Sequence, residues 1–111
     1  MLRLKLSSDV HDSDLLRRHI EENADEIEGA VGDDVPLSFV VKRIAKDLFA
    51  IDVHARLFGR LLVVREHDTN LFQAVTRARR HLLRQIGDLR KQRLDKMRGR
   101  RREFRPRIAT A

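Results

Sequence analysis

The chain has 111 residues, 41% of them hydrophobic, which is enough for one two-layer core and too few for two domains. It contains no cysteine, which excludes a disulfide framework and thiolate chemistry. The net charge is +7 and unevenly distributed, because residues 70–111 carry 14 basic against 3 acidic side chains and residues 1–69 carry 10 against 14. We therefore expect a molecule that orients in the field of an anionic partner.

The first predicted element is a strand over residues 2–6, in which leucines alternate with Arg3 and Lys5. The alternation places these two basic side chains on the face that points away from the core. The same segment has neither the apolar run of a signal peptide nor that of a membrane span, so we expect a cytoplasmic protein without membrane contacts.

A helix is predicted next, capped by Asp12 or Ser13 and ended by Gly32. Its many acidic side chains are interpreted as a solvated face without a ligand. Three strands follow, over residues 37–44, 49–57 and 60–66, since these segments alternate and are rich in β-branched and aromatic residues.

The element order predicts an α+β fold, β-α-β-β-β-α, with both helices on one face of a four-stranded sheet, as in double-stranded-RNA-binding domains. The helices carry one apolar stripe each, so one sheet face suffices to bury both. The other sheet face would be exposed to solvent and would carry Arg3, Lys5, Lys42, Arg56 and Arg65.

The last predicted helix runs from Asn70 to about Arg102, with Asp68, Thr69 or Asn70 as its cap. Its apolar stripe consists of Leu71, Val75, Ala78, Leu82, Ile86 and Leu89. The opposite side carries Gln73, Arg77, Arg80, Arg84 and Lys91. No acidic residue lies between Arg77 and Arg84, and Asp88 is the only acid near this side of the helix. The arginine row is therefore interpreted as unpaired and as a surface for a polyanion.

RNA is favoured over duplex DNA as that polyanion, because a helix anchored by its apolar stripe cannot sink into a major groove. A rigid basic surface instead suits RNA contacted through phosphates and 2′-hydroxyls. Catalysis, a metal site and a small-molecule substrate are not expected. The five histidines lie on separate elements without metal-ligand spacing, and no glycine-rich phosphate loop is present.

The start of the last helix resembles the ribosome hibernation-promoting factor and ribosome-associated inhibitor (sigma-modulation protein) family. That family has an Asp-x-aromatic-x-Ala-Ile turn and a later Leu-x-Arg-Gln-Leu. The corresponding positions here are Asn70, Phe72, Ala74, Val75, Leu82, Arg84, Gln85 and Ile86. The opening of the first helix, from Ser13 to Glu22, is also similar. Asn70 replaces the usual Asp, and Gly87 and Asp88 stand where the family generally has lysines.

The resemblance implies a bacterial, non-catalytic protein that docks in the decoding region of the small ribosomal subunit, blocks messenger and transfer RNA, and inhibits translation in idle or stressed cells. Its partner would be small-subunit RNA, with ribosomal proteins as further contacts, bound by a monomer without a cofactor. The short form is expected, with residues 1–98 as the ribosome-binding domain and 99–111 as a basic, disordered tail. The family's basic run is shifted here towards Arg90, Lys91 and Arg93, and Arg90 and Lys91 join the predicted nucleic-acid-binding residues.

Two alternative functions remain open from the sequence. The same fold could serve as a general binder of double-stranded RNA or other nucleic acid that is not specific to ribosomes. The acidic first helix could instead engage a basic protein partner.

Overall fold

The computed structural model describes the backbone of residues 2–109 and the side chains of residues 2–96. The elements are β1 (Leu2–Leu6), α1 (Asp14–Val31), β2 (Leu37–Ala45), β3 (Leu48–Leu57), β4 (Arg60–Asp68) and α2 (Leu71–Ala109). The predicted element order and the α+β class are confirmed. The tail predicted for residues 99–111 falls outside the described side chains, and the division after residue 98 stays a prediction.

The four strands form one sheet in the order β1-β2-β3-β4. β1 pairs with β2 in parallel, with α1 as the crossover, and the other two pairings are antiparallel hairpins. β4 is thus an edge strand, and α2 folds back along it after a two-residue connection. This connection determines which side chains of α2 meet the end of β4.

The core lies between the two helices and one face of the sheet. Phe39, Val53 and Val64 are neighbours in register across β2, β3 and β4, and all three are buried. α1 contributes Leu16, Ile20, Ala24 and Ile27, and α2 contributes Leu71, Ala74, Val75, Ala78, Leu82, Ile86 and Leu89. The apolar stripe predicted for α2 is therefore confirmed, and its burial fixes the direction in which the opposite side of the helix points.

Side-chain caps determine where both helices begin. The Ser13 hydroxyl accepts a hydrogen bond from the Leu16 amide at 3.1 Å, so Ser13 rather than Asp12 caps α1. The Asn70 side-chain oxygen accepts from the Phe72 amide at 3.0 Å and from the Gln73 amide at 3.3 Å. Among the three predicted candidates, Asn70 is therefore the cap of α2.

Contacts between the helices fix the rotation of α2 about its axis. His19 of α1 lies 3.0 Å from the Phe72 carbonyl oxygen through its Nε2 atom, and the two rings are 5.0 Å apart at their centroids. About two turns further along each helix, Arg79 and Glu26 form an ion pair at 2.9 Å. One side of α2 faces neither α1 nor the sheet. In the orientation set by these contacts, that side is open to solvent.

Candidate nucleic-acid interface

The open face of the sheet carries all five basic side chains that the alternation predicts. Arg3, Ser38, His54 and Val63 form one row across the strands, and Lys5, Val40, Asp52 and Arg65 form the next. Lys42 and Arg56 lie on the same face by strand alternation, since Lys42 pairs with Ala50 and Arg56 with Leu61. We call Arg3, Lys5, Lys42, Arg56 and Arg65 the basic sheet face. All five side chains are exposed.

Asp52 is the acidic residue in the middle of this face. Its carboxylate lies 3.9 Å from the Lys42 ammonium and 3.7 Å from Nε of Arg65. Both distances are too long for a direct hydrogen bond. Asp52 therefore partly neutralises the charge of Lys42 and Arg65 but does not fix the position of either side chain. Within the described residues, Arg3, Lys5 and Arg56 have no carboxylate within 4 Å.

A groove of about 460 Å³ lies at one end of the basic sheet face. Its lining consists of Arg3, Asp34, Pro36, Leu37, Ser38, His54, Arg56 and Leu61. Arg3 comes from β1 and Arg56 from β3, so two arginines from different strands line one concave surface. The groove gives this end of the sheet a shape that a bent phosphate backbone can enter.

The outward side of α2 forms a second basic surface. Gln73, Arg80, Arg84 and Lys91 are exposed and lie on the helix side opposite to the buried stripe. We call Arg80, Arg84 and Lys91 the basic ridge. In the described part of the chain, no carboxylate lies within 4 Å of any of these three cations. The prediction that Arg80 and Arg84 are unpaired is therefore confirmed.

Arg77 was predicted as a member of the same row, and its placement differs. Its guanidinium forms an ion pair with the Asp68 carboxylate at the end of β4, and it also donates to the His67 carbonyl at 3.4 Å. The side chain lies on the flank of α2 that faces the sheet edge. The expectation that Arg77 lacks an acidic partner is therefore wrong, because the acid comes from the preceding strand and not from the same helix.

The position of Asp68 explains why this ion pair persists at neutral pH. Its carboxylate accepts a hydrogen bond from the Asn70 amide at 2.8 Å, and this bond together with the nearby Arg77 guanidinium lowers the pKa of Asp68 from its ordinary value. The carboxylate is thus ionised over the whole physiological range. Arg77 consequently stabilises the start of α2 more than it contributes free positive charge.

Two further arginines of α2 are engaged with α1. Arg79, which the sequence analysis did not single out, is 19% exposed and pairs with Glu26. Arg90, a predicted binding residue, donates to the Ala30 carbonyl oxygen at the end of α1. A carbonyl oxygen does not cancel the charge, so Arg90 still adds to the positive field on this side of the molecule.

The histidines and carboxylates do not assemble into a metal site in the part of the chain that the structure describes. Among the described residues, the imidazole of His81 in α2 contacts the Glu66 carboxylate of β4, next to the ion pair of Arg77 and Asp68. Over the described residues, no helix combines the length and apolarity needed to cross a membrane.

Sequence reasoning named Arg93 only as part of the shifted basic run and missed the basic cluster that it forms at the tip of the β3–β4 hairpin. The guanidinium carbon of Arg93 lies 4.0 Å from the centroid of the Phe58 ring, and Arg60 and Lys96 line the same depression. A signal was available, since Arg93 continues the spacing of the buried stripe four residues beyond Leu89. That position directs its side chain towards the sheet end and not towards the ridge.

Comparison with solved structures identifies the same fold in two other proteins. The N-terminal domain of Protein Y from Thermus thermophilus superposes with a TM-score of 0.68 at 20% identity, covering 79% of this chain and 97% of that one. A ribosomal subunit interface protein from Coxiella burnetii superposes with a TM-score of 0.70 at 16% identity, covering 81% and 97%. No protein-family model and no curated protein sequence matches the chain. The solved structures support the family resemblance at the level of the fold.

Proposed function

We propose that the protein is a non-catalytic, ribosome-associated RNA-binding protein that occupies the decoding region of the small subunit and inhibits translation. The proposal combines the fold, shared with a ribosomal subunit interface protein, and two basic surfaces that have few acidic partners. Its site residues are the basic ridge and the basic sheet face, with Arg90 and, in a supporting role, Arg77.

The observation that carries the proposal is the opposite orientation of the two basic surfaces. Both helices pack on one face of the sheet, so the basic ridge points away from the molecule on the helix side and the basic sheet face points away on the other. At least one helix diameter, about 10 Å, separates them. A single straight duplex cannot lie against both surfaces at once, whereas folded RNA that lines a cleft can.

The charge distribution gives a preferred orientation in such a cleft. α1 exposes acidic side chains, among them Glu21, Glu22 and Asp25, on the remaining part of the helix layer. An RNA wall would repel this part of the surface and attract the ridge and the sheet face. The protein would therefore enter an RNA cleft in one orientation, and in the decoding region it would exclude messenger and transfer RNA sterically.

Sucrose-gradient sedimentation of the protein with purified ribosomal subunits tests the proposal. We expect the protein to migrate with the small subunit at about 50 mM salt and to dissociate at about 200 mM salt, because each phosphate contact contributes roughly 0.7–0.9 to the log-log salt slope. Plain double-stranded RNA, equimolar with the small subunit, serves as the competitor. Displacement by equimolar duplex would favour a general double-stranded-RNA binder, and absence from the small-subunit fractions at low salt would refute the proposal.

A further inference from the structure

Phe58 occupies the tip of the β3–β4 hairpin in a backbone conformation that its residue type disfavours. The turn Phe58-Gly59 connects the paired residues Leu57 and Arg60, and its two φ angles are 54° and 72°. Two-residue hairpin turns with positive φ at both positions favour Asn-Gly, since a bulky side chain is strained there. Phe58 is the one non-glycine residue with positive φ among the described residues. Such outliers concentrate at binding sites, where the strain is retained because the side chain has a role.

The ring of Phe58 is exposed and surrounded by positive charge. Phe58 is 46% exposed, although large aromatic side chains gain most from burial. The Arg93 guanidinium lies over the ring. The described residues that line the adjoining depression of about 220 Å³ include three cations and no carboxylate; they are Phe58, Arg60, Leu89, Gln92, Arg93 and Lys96.

We propose that this hairpin tip is a binding site for one unpaired nucleobase of the RNA and its flanking phosphate. The base would stack on the exposed part of the Phe58 ring, Arg60 and Lys96 would contact the phosphate, and the Gln92 amide would hydrogen-bond the edge of the base. The inference rests on the proposed function and deepens it, because the basic ridge and sheet face recognise phosphates alone. The hairpin tip adds a preference for RNA with a nucleotide splayed out of its helix.

A purely structural role for the ring is the competing explanation. The contact between Arg93 and Phe58 joins the hairpin to α2, and it could serve only to hold the helix against the sheet end. The variant Phe58→Asn separates the two roles. Asn is one of the residues best suited to positive φ, so the variant relieves backbone strain and keeps the hairpin while it removes the stacking surface.

The experiment measures the affinity of the full chain for two short RNA hairpins that differ in one bulged position, a uridine in one and an abasic residue in the other. Both probes have the same phosphates, so the ridge and the sheet face bind them equally. We expect the native protein to prefer the bulged base by about 5- to 150-fold, the range for one stacked base. Phe58→Asn should abolish the preference, bind the abasic probe as before, and melt within a few degrees of the native protein.

Three results would overturn the inference. Equal affinity of the native protein for both probes would show that no base is recognised, whatever the variant does. A preference retained by Phe58→Asn would move the base site elsewhere. A large fall in melting temperature of Phe58→Asn with unchanged preference would assign the ring a structural role. In all three cases sedimentation with the small subunit is measured separately, so the proposed function can stand while this inference fails.

Discussion

Removal of the basic ridge by the triple substitution Arg80→Ala, Arg84→Ala and Lys91→Ala should flatten the salt dependence of ribosome binding without loss of the fold. The three side chains are exposed and have no acidic partner in the described residues, so their removal breaks no ion pair. If each contacts one phosphate, the log-log salt slope becomes shallower by about 2.1–2.7. Between about 50 and 200 mM salt, the native protein should therefore lose roughly 20- to 40-fold more affinity than the variant.

The assay is fluorescence anisotropy of the labelled protein titrated with purified small subunits at several salt concentrations. The matched control replaces Arg18, Arg43 and Lys46 by Ala, which removes the same charge from exposed positions outside both basic surfaces and, among the described residues, also breaks no ion pair. We expect the log-log salt slope of the control to differ from the native slope by no more than the contribution of one phosphate contact, roughly 0.7–0.9. An equal decrease of the salt slope in the ridge variant and in the control would mean that binding depends only on net charge. A native salt slope in the ridge variant would refute the assignment of the basic ridge as a phosphate-binding surface.

Three further predictions concern stability and its pH dependence. Leu82→Ala, at a fully buried position of α2, should lower the free energy of unfolding by about 2–5 kcal/mol in urea titration, and a change below about 1 kcal/mol would contradict the packing described. Ser13→Ala removes the hydrogen bond to the Leu16 amide and should cost about 1 kcal/mol by the same measurement, whereas an unchanged midpoint would exclude the cap. Asp68→Asn should melt below the native protein at pH 7. Because the folded-state pKa of Asp68 is lowered, its stabilisation is present above the unfolded-state pKa of about 3.9 and disappears as the pH falls through the folded value, so the two melting temperatures should converge below about pH 4. A constant difference down to pH 2 would contradict this assignment.

The fold could be predicted from the sequence because local and global signals agree in it. The alternation in the strands predicts one buried sheet face, and the apolar spacing in each helix predicts one buried helix side. All of these surfaces can share one core only if both helices pack on the same face of the sheet, as they do. The same alternation placed Arg3, Lys5, Lys42, Arg56 and Arg65 on the open sheet face. The face of the sheet on which a side chain lies can be predicted in this way without knowing which strands are neighbours.

Contacts between distant elements could not be predicted in the same way. The pairing of Arg77 with Asp68 depends on the angle at which α2 turns back along β4, and the identity of the two connecting residues, Thr69 and Asn70, does not predict that angle. The approach of Arg93 to Phe58 depends in addition on the length of β4 relative to α2. These contacts determine which cations are paired with an acidic side chain and which are free. The location of the basic surfaces could therefore be predicted from the sequence more accurately than the pairing of each cation.

The most direct test of the central claim, that RNA lies against both basic surfaces at once, uses the absence of native cysteine. Single cysteines at Gln73 beside the ridge, at Val63 on the open sheet face and at Glu22 on the acidic side of α1 can each carry a tethered Fe(II) chelate that cleaves nearby RNA. We expect the probes at Gln73 and Val63 to cut two different segments of small-subunit RNA and the probe at Glu22 to cut weakly or not at all. Cleavage from only one of the two basic surfaces, or equal cleavage from all three positions, would contradict the account.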